Sequence, residues 1–324
     1  MQKRSKPLTL SIVIPTYRRE QILLDTIGYH LEQASVLPGF DELIIVDQTP
    51  GHEPEVTRQL ERWNEEGKIR WVRCEQPHLT RSMNRGLLEP CSDIVLYTDD
   101  DVIPAEGWLA KHLDAHLEHP EVWAVVGQIL QPGEQPEDIP YDPKGGSLMR
   151  YMDFPFRCTK GQYIENAMAG NLSVKRDKAL EIGGFDENFP PPVASRFESE
   201  FAKRLVRSGG KIWFEPQASL RHLAATTGGT RSKGTHLTSM SPHHGIGDCY
   251  FALRSGSGWE KWWYLMRKPF REVRTKFHLR HPWWIPVKFV GELRAQYQAQ
   301  LLIRHSPALV STSNTKHVSK LDHS

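Results

Sequence analysis

No run of eighteen apolar residues occurs in this chain of 324 residues, so a membrane-spanning helix is not expected. Residues 1–7 are basic but lack the apolar stretch of a secretory signal, and none is expected there. The chain has only four cysteines, Cys74, Cys91, Cys158 and Cys249, and they are scattered. Without a CxxC pair they do not suggest a zinc site, and they read as reduced thiols in a cytosolic setting. Charge of one sign is also missing: 41 basic and 39 acidic side chains leave a formal net charge of +2. Nothing in that balance points to nucleic acid. No GxGxxG follows the first apolar run, and GxxxxGK[ST] occurs nowhere, which weighs against dinucleotide and P-loop folds.

What is present is an alternation of short apolar runs with helical spacings. Residues 10–14, 43–46, 69–72, 94–97 and 122–126 read as strands, the first stopped by Pro15. Leu23, Ile27, Leu31 and Ala34 recur at helical spacing, and 53–66, 80–88 and 105–118 read as further helices. Strand–helix alternation implies right-handed βαβ units and a parallel sheet covered on both faces. Polar clusters stand where these strands end: Thr16–Arg18, Asp47, Arg81–Asn84 and Asp99–Asp101. In open α/β sheets, ligands bind beyond the carboxyl ends of the strands.

Asp99, Asp100 and Asp101 directly follow an apolar strand. Adjacent like charges repel, and a divalent cation shared with substrate phosphates would change that balance. The alternative is a solvated acidic turn with one Asp as a helix N-cap. Likewise Asp47 could be a turn residue and Arg81 a solvated helix charge.

The chain resembles the family 2 glycosyltransferases over roughly residues 8–222. The matching stretches are Ser-Ile-Val-Ile-Pro-Thr-Tyr-Arg-Arg at 11–19, Ile-Ile-Val-Asp at 44–47, Leu-Thr-Arg-Ser-Met-Asn-Arg-Gly-Leu at 79–87 and Asp-Asp-Asp-Val-Ile-Pro at 99–104. Gly-Asn-Leu-Ser-Val-Lys-Arg at 170–176 and Gly-Gly-Phe-Asp-Glu at 183–187 match the acceptor-side half. The resemblance implies a GT-A fold: α/β, with a mostly parallel central sheet flanked by helices and a Rossmann-like nucleotide-binding half. It also implies a nucleotide-sugar set of Pro15, Thr16, Tyr17, Arg18, Asp47, Arg81, Asn84, Asp99 and Asp100. Within it, Thr16, Tyr17 and Asp47 would meet base and ribose. Asp99 and Asp101 correspond to the family's DxD motif, with Asp101 the direct ligand of Mn²⁺ or Mg²⁺. Where the family often has Ala-Arg-Asn, this chain has Ser82-Met83-Asn84, and Arg81 is left to supply the positive charge.

In the second half, the proline-rich stretch 132–144 reads as a surface loop. Residues 167–174 suit a strand near the cleft, with Gly170 letting the backbone come close to a ligand. A short helix is expected over 176–182, a longer one over 197–208, and a strand over 211–214. Relatives begin the longer helix with Glu-Asp and follow with Arg-Leu. Aligning on Arg204-Leu205 places that Asp at Glu198 and the Glu at Phe197, so Glu198 is the implied catalytic base. Glu200 diverges from it by roughly 200° around a helix. His222 is either a structural histidine or, as in some relatives, a group near the metal. Gly228-Gly229-Thr230-Arg231 resembles the phosphate loop of sugar nucleotidyltransferases but lies far after the first strand. It reads as a flexible segment whose N–H groups and Arg231 could cover a diphosphate.

The pattern changes after 222. Trp259, Trp262, Trp263, Trp283 and Trp284 interleave with Lys261, Arg267, Lys268, Arg271, Arg274 and Lys276. Two readings stand level: contact with an anionic membrane interface, or a helical appendage packed through its tryptophans. Residues 306–324 are polar and expected to be disordered.

The expected organisation is a GT-A domain over 1–222, with a nucleotide-sugar half at about 8–130 and an acceptor half at about 131–222. A helical extension occupies 223–324. The expected function is inverting transfer from a nucleotide-diphosphate sugar to the hydroxyl of a glycan or lipid-linked acceptor, in polysaccharide, glycolipid or cell-envelope glycan synthesis. The expected place is the cytoplasm, or the inner face of the membrane under the first C-terminal reading. The rival readings are a sugar nucleotidyltransferase and a non-catalytic sugar-nucleotide-binding protein.

Overall fold

The apolar runs become the centre of a nine-stranded sheet in the computed structural model, which describes residues 8–141, 154–191, 193–229 and 236–311. The first half of the chain runs β1 (Leu10–Thr16), α1 (Gln21–Ala34), β2 (Phe40–Asp47), α2 (Pro54–Glu65), β3 (Arg70–Arg73), α3 (Leu79–Leu88), β4 (Ile94–Thr98), β5 (Val102–Pro104), α4 (Trp108–Glu118) and β6 (Ala124–Leu130). The second half adds β7 (Gln162–Ile164), β8 (Asn171–Lys175), α5 (Arg176–Glu181), α6 (Phe197–Arg207), β9 (Ile212–His222), α7 (His243–Ser255), α8 (Glu260–Glu272), α9 (Lys276–Arg280) and α10 (Trp284–Leu302).

Sheet order is β3-β2-β1-β4-β8-β6-β9-β5, with β7 on β9. The strands β3, β2, β1 and β4 are parallel, as the alternation of strand and helix requires. The remainder is tied on by antiparallel pairing: β8 lies between β4 and β6 and runs against both. Side chains of β1 alternate between two cores, as the period of a strand dictates. Val13 joins Val95, Tyr97, Met83 and Leu87 on one face. Ile12 and Ile14 join Leu23, Ile27, Leu60 and Trp108 on the other.

Several boundaries differ from expectation for physical reasons. β1 continues through Pro15 to Thr16, because the β4 side of its ladder has already ended at Val13 and a missing N–H is tolerated there. The last strand is not confined to 211–214 but extends to His222. Residues 306–311 are not free: Val310 N–H donates to Gly183 and Glu187 N–H to Ala308, at 2.9 and 3.0 Å. The rest of the expected tail, 312–324, lies outside the described residues, as do 142–144, Pro192, Thr230 and Arg231.

C-terminal helices are present as expected, and α7 enters the main core. Its Ile246, Cys249, Tyr250 and Phe251 are buried in the cluster that holds Phe197 and Phe201 of α6. Helices α8 and α10 pack on α7.

Helix α3 approaches β1 closely at Gly86, where an added Cβ would lie 2.3 Å from a Val13 methyl. Gly86→Ala should therefore destabilise the fold by about 1–3 kcal/mol through overpacking. Gly28→Ala, in α1 with nothing within 4 Å of the new methyl, should instead gain up to about 1 kcal/mol from helix propensity. Urea unfolding of the two variants checks the opposite signs.

Candidate functional site

Beyond the ends of β1 and β4, a cavity of about 180 Å³ is walled by Thr16, Tyr17, Asp99, Asp100, Asp101 and His222, among others. The three carboxylates do not point the same way. Asp100 turns inward, accepting from Thr16 Oγ1 at 2.7 Å and Arg19 Nε at 3.0 Å. Thr26 of α1 pins the turn by donating to the Asp100 carbonyl at 3.2 Å. Burial pushes the Asp100 carboxyl up to about 6, with Arg19 and Thr16 opposing. Asp101 splits its oxygens. One accepts from Arg19 at 3.1 Å and the Ala225 N–H at 2.8 Å. The other lies 3.2 Å from His222 Nε2. Burial opposes ionisation of Asp101, but the contacts from His222, Ala225 and Arg19 outweigh it and hold its carboxyl below the usual range.

Asp99 is the exposed member. Its carboxylate lies 3.6 Å from His222 Nε2, and its side chain is 49% exposed. Ligand atoms of Asp99, Asp101 and His222 all lie within 4.8 Å of one another. Two carboxylates and an imidazole around one point are a donor set suited to a divalent cation. Gly170 makes room for this arrangement: a Cβ there would lie 2.3 Å from Asp99 Oδ2. The backbone at Gly170 comes close to the Asp99 side chain rather than, as expected, to a ligand. His222 reaches the site because β9 pairs antiparallel with β5, setting His222 opposite Val102.

A second cavity of about 420 Å³ adjoins the first, sharing Pro15, Leu79, Asp99 and His222 as walls. Its far side is the start of α6: Ala194, Ser195, Arg196, Phe197 and Glu198. Glu198 is half-buried. Burial, with the Asp99 charge adding, pushes its carboxyl up to about 7. Glu200 is buried instead against Arg204, which donates to it at 2.9 and 2.8 Å. Phe197, where the resemblance would place an acid, packs on Phe185 within the core. Its side chain supports the helix, and Glu198 is the carboxylate the helix presents to the cavity.

Other residues singled out by the sequence lie elsewhere. Asp47 is buried, with its oxygens taken by His52 Nε2 at 2.8 Å, Trp71 Nε1 at 3.0 Å and Thr49 N–H at 2.8 Å. Its neighbour Gln48 is the one on the cavity wall. Arg18 lies over the Tyr17 ring at 5.1 Å and is absent from both cavities. Asn84 donates to the Phe185 carbonyl at 2.8 Å, and Arg81 to Glu187 at 3.4 Å, so both join α3 to the 185–187 turn. Of the glycine segment, Gly229 donates to the Tyr17 carbonyl at 2.7 Å and lines the first cavity.

The sequence does not single out Arg19, Gln48 or Arg196. Arg19 bridges Asp100, Asp101 and the carbonyls of Ala225 and Thr227. Its signal is a charge argument: two acidic neighbours can be buried together only beside a cation.

A mixed sheet with polar groups gathered at these strand ends, and helices on both faces, is the GT-A fold of nucleotide-sugar glycosyltransferases. The fold matches GalNAc-T7 bound to UDP, GalNAc and Mn²⁺, with TM-score 0.56 and 14% identity; the match covers 79% of this chain but only 52% of that one. It also matches a mannosyltransferase of Pyrobaculum calidifontis in complex with GDP-Man and Mn²⁺, with TM-score 0.52, 18% identity and coverage of 93% and 79%. The chain belongs to glycosyl transferase family 2, whose family model matches residues 11–174. The glucosyl-dolichyl phosphate glucuronosyltransferase of Haloferax volcanii is 23% identical over 230 residues, covering 66% of this chain and 69% of the relative.

Removing Arg19 should leave Asp100 buried without its cation. Arg19→Gln should cost about 3–5 kcal/mol at neutral pH. The Asp100 carboxyl stands near 6 when folded, against an ordinary value of 3.8. Its charge therefore weakens the fold above pH 6, and proton uptake relieves this as pH falls. In the variant that carboxyl rises further, so the loss should shrink between pH 7.5 and pH 5. Urea unfolding at the two pH values reads the difference.

Proposed function

We propose that the protein is an inverting, metal-dependent glycosyltransferase with Glu198 as general base. The observation that carries this reading is one shared cavity: Glu198 on one wall, Asp99 and His222 on another. Asp101, Asp99 and His222 would hold the cation, and the imidazole suits Mn²⁺ better than Mg²⁺, which keeps to oxygen. When bound, the cation supplies positive charge against the diphosphate that leaves. Pro15, Thr16, Tyr17 and Gln48 form the side toward base and ribose. Asp47 acts from behind that wall by holding the 49–52 turn. Asn84 and Arg81 brace α3.

The acceptor enters the larger cavity. Its hydroxyl oxygen attacks the anomeric carbon while Glu198 takes the hydroxyl proton, and the bond from that carbon to the diphosphate oxygen breaks. One displacement inverts the centre, so no covalent nucleophile is required. Family membership sets aside the nucleotidyltransferase reading. The name of the Haloferax relative, which acts on a lipid-phosphate sugar, supports a lipid-linked acceptor here and a role in glycolipid or cell-envelope glycan synthesis.

Glu198→Gln should reduce transfer by about 10²-fold or more, with donor affinity kept; Glu200→Gln should mainly lower stability, by freeing Arg204. Because a base must be ionised, kcat/KM should rise about tenfold per pH unit up to an apparent pKa no higher than about 7. Cation binding at Asp99 draws that value lower. A near-normal rate for Glu198→Gln would place the base elsewhere; loss of transfer with wild-type donor binding separates an enzyme from a binding protein.

For the cation, Mn²⁺ should raise the melting temperature of the wild type by mass action. Asp101→Asn should remove that rise and the Mn²⁺-dependent part of donor affinity. An unchanged Mn²⁺ shift in the variant would mean the ligands are other residues.

A further inference from the structure

Two C-terminal helices face the wrong way for a protein in water. On α8 and its N-cap, Trp259, Trp263, Met266 and Phe270 follow one another at three- and four-residue steps, and Trp262 lies three after Trp259 and four before Met266, so all five share one side of the helix. All are exposed, from 47% at Trp263 to 73% at Trp259. The opposite side carries Lys268, which is 4% exposed. Its Nζ lies 3.0 Å from Asp248 and 3.2 Å from Glu292. Helix α10 is alike: Val290, Leu293, Tyr297 and Leu301 are exposed, while Lys288 and Glu292 are buried and paired at 2.6 Å, beside the small Gly291, Ala295 and Ala299. A helix between a core and water has the reverse arrangement. Buried charges need pairing to offset their desolvation, and here that pairing fixes which side of each helix is turned inward. The side that packs holds the paired charges together with Leu265, Ala295 and Ala299, and the large aromatic side chains are left outward.

Charge indicates what covers it. Between residues 259 and 283 the chain has seven Lys and Arg against two Glu. Lys261 lies over the Trp262 ring at 5.7 Å and Arg267 over Trp263 at 5.4 Å. Arg274, Lys276 and Arg280 are exposed. A second copy of this face would set cations against cations. A bilayer with anionic headgroups meets both demands: indoles and apolar side chains enter the headgroup–acyl boundary while Lys and Arg meet phosphates. No helix among the described residues is long and apolar enough to cross a membrane, so the contact lies on the surface.

We propose that the outward faces of α8 and α10, with the basic 274–283 stretch, seat the protein on an anionic phospholipid surface. The seat is mechanically joined to the larger cavity. Asp248 of α7, which holds Lys268, also lies 3.5 Å from Arg196 Nε on the cavity wall. This surface goes beyond the transfer chemistry and stands or falls apart from it.

The test is co-sedimentation of the full chain with phosphatidylcholine vesicles, with and without phosphatidylglycerol, at low and high salt. Wild type should pellet with the anionic vesicles and release with salt. Trp259→Ser/Trp262→Ser/Trp263→Ser should bind at least about tenfold more weakly. Lys261→Glu/Arg267→Glu/Arg274→Glu should lose about fivefold for each basic residue removed and flatten the salt dependence. An unchanged melting temperature shows that the fold is kept, and the charge variant carries the test if the tryptophan variant does not fold. Failure of wild type to bind anionic vesicles at low salt overturns the proposal, as does undiminished binding by both variants. Concentration-dependent dimers that the tryptophan variant abolishes would overturn it in favour of a second copy.

Discussion

Like charges at 99–101 repel, and a single guanidinium lets two of them share a buried pocket. Arg19 binds Asp100 with one nitrogen and Asp101 with another. Its remaining donors reach the carbonyls of Ala225 and Thr227. The same side chain therefore ties the end of β1 to the turn after β4 and to the segment after β9. Those three connections, with Gln48 and Leu79, form the walls of the smaller cavity. They also decide which oxygen of Asp101 is left for His222. Without that compensation, burial would drive the Asp100 carboxyl further up, and Asp101 would keep only His222 and the Ala225 N–H against its own burial.

β1, β2 and β4 are legible because the middle of each is buried on both faces and reads as an apolar run, whereas β3, Arg70–Arg73, is only partly buried and is read from Trp71 and Val72 between two arginines. β5 and β7 are too short to give a pattern, and β9 carries Glu215, Pro216 and Gln217 within it. The central place of β8 does not follow from strand–helix alternation, since only tertiary closure puts it between β4 and β6. In the cleft, the acidic triplet is visible at the end of an apolar strand, and Glu198 only through the resemblance, aligned on Arg204-Leu205. Arg18 and Arg19 look equivalent in sequence. Backbone conformation separates them: Arg18 is left-handed, with φ 53°, and lies over Tyr17, while Arg19 turns into the acidic pocket. The resemblance implies Asp47 and Asn84 for the nucleotide sugar, and their hydrogen bonds run to the protein itself, a partition that no motif encodes.

The start of α6 is held from behind. Ala194 and Arg196 both adopt left-handed backbone, with φ 45° and 68°. Gly247 of α7 presses on the residue between them: a Cβ there would lie 2.2 Å from the Ser195 carbonyl. Strained backbone of this kind persists only when its surroundings over-determine it. The C-terminal helices thus supply the constraint that aims Glu198, and they belong to the working of the cavity as much as the sheet does.

The position of β8 has a further consequence, in the order of synthesis. β4 finds its partner on that side about 75 residues later in the chain. At ribosomal rates of roughly 5–20 residues per second, that is a wait of about 4–15 s. Throughout it, β4 is an open edge of a parallel sheet, the kind of edge that pairs with other chains. His222 comes later still, so the nascent protein carries its three aspartates for many seconds before the imidazole beside them exists.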